Sequence, residues 1–387
     1  MAKLEHYIPV GRGRLRCGYT TGTCAAAAAR GAAEALLTGQ RPAAVQIDTP
    51  AGIPVTAELV DWSSGPGWAM CAVQKDGGDD PDVTDGTRIY VKVSHITGTD
   101  IIIDGGEGVG RVTRPGLDQP PGAAAINSTP RRMILEQLGV ARKSARMDGG
   151  LKAVVSVPEG ARLAKGTFNP RLGIQGGISI LGTSGIVRPM SETALIDSIL
   201  LSLDMAKAAG TTDLLVTPGN YGEDYAWDQL WLDVSGSIAC SNYLGAAIDH
   251  AVGLGFQSFL LVGHLGKLVK VAAGAMNTHS KMTDGRRETL TAHAALCGAD
   301  LPLLRGVFEA ATTDGALELL GPAGLLEPTM TSLTTALYEN LRHRAGETLD
   351  IQAVVFSERF GLLGQTPGAA ALLERHRRRT GTEGEGT

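Results

Sequence analysis

Aromatic side chains make up only 4% of the 387 residues, among them four tryptophans and six phenylalanines. With a formal net charge of −5, nothing in the composition draws the chain to nucleic acid. The five cysteines, Cys17, Cys24, Cys71, Cys240 and Cys297, are odd in number, scattered and free of any C-x-x-C pair. That argues against a disulfide framework and a structural zinc site, and fits reduced thiols in a cytoplasm. Long apolar runs are missing as well: the richest, Ala25 to Leu37, is mostly alanine and is broken by Arg30 and Glu34. No membrane association is expected. The opening Met1-Ala2-Lys3-Leu4-Glu5-His6 lacks the apolar core of a secretory signal, so a cytoplasmic location is the expectation.

Glycine is what the chain has in excess, 52 residues, many of them clustered in short polar loops. A chain of this length is too long for one ordinary core, so two domains are expected. The second half alternates strands and helices. Ile178–Leu181 is a short apolar run, a helix follows from about Ser191, and Asp213–Thr217 reads as a buried strand closed by Pro218-Gly219. A helix from about Asn242 to Val252, a strand at Ser258–Val262 and a last strand at Ile351–Phe356 continue the pattern. Such alternation implies βαβ crossovers and a mainly parallel sheet, an α/β domain whose ligands sit beyond the carboxyl ends of the strands. The loops to inspect are then Gly182–Pro189, Pro218–Asp224, Gly263–Lys267 and Ser357–Gly361.

The first half shows a helix at Cys24–Leu37 and short strand-like stretches at Ala44–Asp48, Ile53–Leu59, Met70–Gln74, Arg88–Val93 and Ile101–Asp104. A helix carrying Met133, Ile134 and Leu138 and a strand at Ala153–Val157 complete an α+β domain with a largely antiparallel sheet. The expected division is residues 1–165 for the α+β domain, 166–374 for the α/β domain and a charged, disordered tail at 375–387.

Several loops carry residues suited to chemistry. Thr20-Thr21-Gly22-Thr23 precedes the alanine-rich helix, where hydroxyls and free backbone N–H groups suit a carboxylate or phosphate; plain helix capping explains the same residues. Five acids fall between Asp76 and Asp85, without the ligand spacing of a calcium loop. Gly105-Gly106-Glu107-Gly108-Val109-Gly110 permits close backbone approach to a ligand, but matches neither G-x-G-x-x-G nor a P-loop. Gly263-His264-Leu265-Gly266-Lys267 sits at a strand end, with Asn277–Ser280 and Gly285-Arg286-Arg287-Glu288 following closely. His264 and His279 lack zinc-helix spacing, so no protein-bound metal is expected.

Taken in order, these segments resemble the cobalt-precorrin-5B C(1)-methyltransferase family of anaerobic cobalamin biosynthesis. Leu15-Arg16-Cys17-Gly18-Tyr19-Thr20-Thr21-Gly22-Thr23-Cys24-Ala25 is similar to its N-terminal motif, and Lys75–Gly86, Asp104–Leu117, Asn169–Ser191, Pro218–Ala226 and Gly263–Glu288 follow collinearly. Asn169-Pro-Arg-Leu-Gly-Ile-Gln-Gly-Gly-Ile-Ser-Ile-Leu-Gly-Thr183 is the most specific stretch. Ser184 and Arg188 depart from the pattern, where threonine and glutamate are expected.

The resemblance implies transfer of a methyl group from S-adenosylmethionine to carbon 1 of a corrin precursor whose cobalt travels with the substrate. The sulfonium donor is already activated, so positioning and exclusion of water are the protein's tasks. Carboxylates around the macrocycle call for Arg16, Arg111, Arg114, Lys267, Lys281, Arg286 and Arg287. The expected assignment places His264, Lys267 and Asp284 in catalysis. Gly182, Thr183, Gly219, Asn220 and Glu223 would hold the donor, with Asp224 an alternative for the ribose. Thr20, Thr21, Thr23, Arg111, Lys281 and Arg286 would hold the corrinoid, the first domain being the corrinoid-binding part and the second the donor-binding part. A homodimer and transient contact with neighbouring pathway enzymes stay open. Two rival readings remain: a magnesium-dependent phosphate-handling enzyme, and a corrinoid carrier with no affinity for the methyl donor.

Overall fold

The computed structural model describes residues 3–10, 13–170 and 172–378. Contacts divide the chain into two compact units, Met1–Glu192 and Thr193–Thr387. The boundary expected near residue 165 therefore lies inside the first unit. The segment beyond it folds back, Ile174–Gln175 pairing with Arg111–Val112 and Ile186–Val187 with Gly18–Tyr19, both antiparallel.

The core of the first unit forms around α1 (Thr21–Thr38). Cys24, Ala25–Ala29, Ala32 and Ala33 are buried along its length. Alanine favours the helix and carries nothing beyond Cβ, so neighbouring elements can approach its axis closely. The helix ends where Gly39 enters the left-handed region at φ 75° and donates its N–H to Ala35 O. Against α1 pack α2 (Ser128–Ala145), which buries Met133, Ile134, Leu138 and Ala141 at helical spacing, and a five-stranded sheet. That sheet comprises β1 (Val60–Gly65), β2 (Trp68–Gln74), β3 (Arg88–Ile96), β4 (Ile101–Gly105) and β5 (Gly150–Ser156), in the order β1-β2-β3-β5-β4. Only the β5–β4 pair is parallel. The sequence pattern misses β1 because it is a polar edge strand, with an irregular register between Val60 and Ser63 and Asp61 at φ 54°.

Ile178 and Ile180, expected as a strand of the parallel sheet, instead form isolated bridges with Val109 and Ile126 inside the first unit. The glycines explain this path. A Cβ on Gly108 (φ 70°) would collide with Val157 O, while one on Gly160 or on Gly177 would meet Gly108's own backbone. Three backbone segments meet where no side chain fits.

The second unit begins with the helix α3 (Glu192–Ala208). It then alternates through β6 (Asp213–Thr217), α4 (Asn220–Asp228), β7 (Ile238–Ala239), α5 (Leu244–Gly253), β8 (Ser258–His264) and α6 (Leu265–Ala272). Four helices follow, α7 (Arg286–Leu296), α8 (Leu301–Glu309), α9 (Thr313–Leu320) and α10 (Leu326–Ala345), before β9 (Asp350–Ser357), β10 (Gly361–Gln365) and α11 (Ala369–Arg375). The sheet order is β7-β6-β8-β9-β10, parallel except for the β9–β10 pair. β8 and β9 are buried almost throughout, as strands covered on both faces must be. The strand expected to be last is followed by β10, because Ser357 Oγ accepts the N–H groups of Arg359 and Phe360 and closes a tight reversal. Of the expected disordered tail, Arg375 ends α11 and Arg377 bridges Leu232, while 379–387 lie outside the described residues. All five cysteines are free, and all but Cys297 are buried.

The three-glycine junction gives a test of the first unit. Gly108→Ala places a methyl group on Val157 O in a positive-φ backbone, and should cost about 3 kcal/mol or more of stability. Urea unfolding measures this; a loss under about 0.5 kcal/mol would show that the junction tolerates a side chain.

Candidate functional site

The parallel sheet has one place where its connections diverge. From β6 the chain runs outward to β7, then returns across β6 to β8 and onward to β9, so the reversal falls between the carboxyl ends of β6 and β8. Loops leaving a sheet at such a point separate and leave a crevice. Pro218-Gly219-Asn220 leaves β6 into α4, and His264-Leu265-Gly266-Lys267 leaves β8 into α6.

His264 is the N-cap of α6, its Nδ1 accepting the Gly266 N–H at 3.0 Å. Its ring stands edge-on to Phe356, centroids 5.6 Å apart, and Phe356 stacks on Tyr225 at 3.9 Å. A neutral imidazole whose Nδ1 accepts carries its proton on Nε2. His264 is thereby set up to donate a hydrogen bond through Nε2, and its one lone pair is already engaged.

Lys267 ties three loops together: Nζ donates to Pro218 O at 2.6 Å and to Ser241 O at 3.4 Å. Burial pulls its pKa below the ordinary lysine value, with Cys240 opposing that shift and Lys270 adding to it. Beneath the first loop, Thr217 Oγ1 is buried and has no hydrogen-bond partner among the described residues. Glu223, in the first turn of α4, accepts from Ser237 Oγ at 3.2 Å. The sheet edge thus brings together Gly219, Asn220, Glu223, His264 and Lys267.

A second feature opens beside this edge. Asp314 accepts from Ser357 Oγ at 3.0 Å, which fixes the N-terminus of α9 at the end of β9. Thr312 caps the helix by accepting from Gly315 N at 3.0 Å. The N-termini of α9 and α7 border a cavity of about 250 Å³ that Asp284, Arg286, Arg287, Glu288, Thr312 and Thr313 help to line. Arg286 clasps Asp284 through Nε at 2.6 Å and a second nitrogen at 2.9 Å. That hydrogen bonding holds the Asp284 carboxyl down at about 2, so it is ionised at neutral pH and a feeble base. The geometry gives Asp284 a pairing role in place of proton transfer. Lys281 lies in the exposed strap before α7, which buried Lys270 anchors by donating to Thr278 O and Thr283 O at 3.1 and 3.0 Å.

The other expected residues belong to the first unit. Thr20, Thr21 and Thr23 are buried and act within the fold. Thr20 Oγ1 accepts from Thr23 N, Thr21 Oγ1 accepts from Leu181 N, and Thr23 Oγ1 donates to Gly185 O at 2.6 Å. The capping reading describes these hydrogen bonds. Gly182 and Thr183 follow Leu181 over this cap, and a Cβ on Gly182 would strike Thr20. They are thus not loops of the parallel sheet, contrary to expectation. Arg111 binds Asp104 Oδ1 and Gly105 O, both at 2.8 Å, and is half exposed. The acidic run is structural: Arg16 pairs with Asp76, and the buried Lys75 with Asp82 at 2.7 Å.

Sequence reading missed Thr312 and Thr313, and reached Ser357, Phe356 and Tyr225 only as members of a loop, a strand and a matched segment. One signal was available, because Thr312-Thr313-Asp314-Gly315 places hydroxyls before a helix much as Thr20–Thr23 does.

The switch point of a parallel sheet, with a polar cavity beside it, is where folds of this class take small organic ligands. Residues 9–189 match the family model CbiD and residues 277–367 match CbiD, C-terminal domain. The chain belongs to the CbiD family. Curated relatives carry the name cobalt-precorrin-5B C(1)-methyltransferase. The protein of Ruminiclostridium cellulolyticum is 44% identical over 355 residues, 92% of each chain. That of Alkaliphilus metalliredigens is 44% identical over 371 residues, 96% of this chain and 97% of its own. A Listeria monocytogenes serotype 4b protein is 39% identical over 376 residues, 97% and 100% of the two chains. The 1.9 Å crystal structure of the cobalamin biosynthesis protein cbiD from Archaeoglobus fulgidus is 30% identical, covering 73% of this chain and 87% of that one, with a TM-score of 0.40.

If Lys267 holds the three strand-end loops together, Lys267→Met should destabilise the chain by about 1–3 kcal/mol, since a buried carbonyl loses a charged donor. Thermal unfolding of the variant measures the effect; an unchanged midpoint would mean that the loops hold without it.

Proposed function

We propose that this chain methylates carbon 1 of cobalt-precorrin-5B, giving cobalt-precorrin-6A in anaerobic cobalamin biosynthesis, with S-adenosylmethionine as methyl donor. The observation that carries this is identity of 44% over 92% of the chain with a relative of that name. The cobalt is part of the substrate. Among the described residues no group of three or more His, Cys, Asp or Glu is placed to hold a metal, and no helix is long and apolar enough to cross a membrane. A cytoplasmic location accords with the reading.

The donor supplies a methyl group on sulfur, activated by the positive charge that its loss removes. As that charge passes to the macrocycle, a proton leaves the ring system to restore neutrality. The parallel-sheet unit provides the donor crevice. Gly219 and Asn220 offer close backbone approach and α4's free N–H groups, and Glu223 is positioned for ribose hydroxyls. His264 orients a substrate group through its Nε2–H, and Lys267 keeps the crevice in shape. On the corrinoid side, Lys281 is a cation of the second unit suited to a peripheral carboxylate.

The reaction is tested by incubating the protein, without oxygen, with cobalt-precorrin-5B and methyl-labelled S-adenosylmethionine. One labelled methyl on the ring, dependent on the protein, is the expected product by mass spectrometry. A corrinoid that binds and returns unmethylated would favour a carrier. With the reaction in hand, His264→Ala should lower kcat about a hundredfold and change donor affinity by less than about threefold. Unchanged turnover would remove His264 from the mechanism.

A further inference from the structure

The cavity between the N-termini of α7 and α9 has a composition that narrows what it can hold. Its volume, about 250 Å³, lies under the roughly 300–1,000 Å³ of whole-ligand pockets. It can take one end of a molecule and excludes a macrocycle. Its polar groups have both signs. Asp284 and Glu288 supply two carboxylates, and Arg286 and Arg287 two guanidinium groups. The Asp284 charge is matched by Arg286, whereas the exposed Arg287 has no ion-pair or hydrogen-bond partner among the described residues. Two helix N-termini add positive potential at the same place.

A second observation concerns a side chain in the first turn of α9. Thr313 is 7% exposed and lines the cavity, yet its hydroxyl has no hydrogen-bond partner among the described residues. That oxygen is not among the fully enclosed unpaired polar atoms, so solvent reaches it, and a ligand group can take the place of water there. Its Oγ1 lies 3.9 Å from where a Cβ on Gly266 would stand. The cavity therefore adjoins the His264–Lys267 loop at the sheet's carboxyl edge.

A peripheral arm of the corrin is a bare carboxylate, for which Asp284 and Glu288 would be repulsive. An α-amino acid head is a zwitterion, and suits paired signs in a small space. We infer that this cavity receives the amino-acid end of the sulfonium donor. The donor carboxylate meets Arg287, the Thr313 hydroxyl and the α9 N-terminus, and its ammonium meets Glu288 and Asp284. This rests on the donor proposed above, and it moves Asp284 and Arg286 from catalysis and corrinoid binding to donor recognition.

The test is calorimetric titration of the full chain with S-adenosylhomocysteine, which needs no turnover, beside steady-state kinetics with both substrates. Thr313→Val and Arg287→Met should each weaken binding of this probe about tenfold. The KM for donor should rise in parallel, with kcat and the corrinoid KM changed less than about twofold; Thr313→Ser should retain most of the affinity. Arg287 is exposed, so its variant reports even if Thr313→Val folds poorly. A rise in corrinoid KM with unchanged probe binding would assign the cavity to a macrocycle arm and overturn the inference. Unchanged values throughout would overturn it too. Probe binding without methyl transfer by the wild type would leave this site standing and sink the proposed reaction.

Discussion

Backbone meeting backbone, with no side chain between, is the constraint on which the first unit depends. Gly108, Gly160 and Gly177 make one such junction, and Gly18 and Gly78 another, where a Cβ on either would strike the other strand of chain. The alanine face of α1 extends the same logic to a helix. Close approach of this kind gives dense packing from small residues, but leaves almost no choice of residue at the contact. The glycine-rich motifs are therefore largely the means by which distant segments of the first unit lock together.

In the second unit the organising feature is the divergence of connections between β6 and β8. It fixes where loops separate before any side chain is considered. Lys267 then stabilises what topology opens, its ammonium bound by carbonyls from the loops after β6 and β7. Ser357 performs a related task at the next strand, holding the β9–β10 reversal and, through Asp314, the start of α9. Strand ends, crevice and cavity are joined through these two side chains.

Much of this was legible in the sequence. Both sheet types, most strands and the His264–Lys267 loop follow from apolar periodicity and from glycine at strand ends. The errors share a cause. Ile178–Leu181 has the composition of a buried strand and is buried, but local pattern does not say in which unit. Gly182 and Thr183 went to the wrong sheet because sequence order suggested it, while pairing of Ile186–Val187 with Gly18–Tyr19 carries them to the first unit. Long-range pairing decided each case, and single-sequence patterns carry little of it. One side of the cavity, Asp284, Arg286 and Arg287, was singled out in the sequence, whereas its Thr312–Thr313 side lies outside every matched segment.

Of the three groups that the sequence offers for catalysis, two are ill suited to proton transfer. Asp284 is held near 2 by Arg286, and the one lone pair of neutral His264 accepts the Gly266 N–H. For a hydrolase this would be a fault. A sulfonium donor leaves as a neutral thioether and needs no proton on departure, and the conjugated macrocycle supplies its own electron pair. Its proton can be lost after the carbon–carbon bond has formed and the product has met solvent, when the ring's excess positive charge makes it acidic enough for water to accept. What remains for the protein is to hold two ligands at bonding distance with water excluded, a task for rigid loops and satisfied polar groups. The capped histidine, the tethered lysine and the paired aspartate are all fixed in place, as positioning requires.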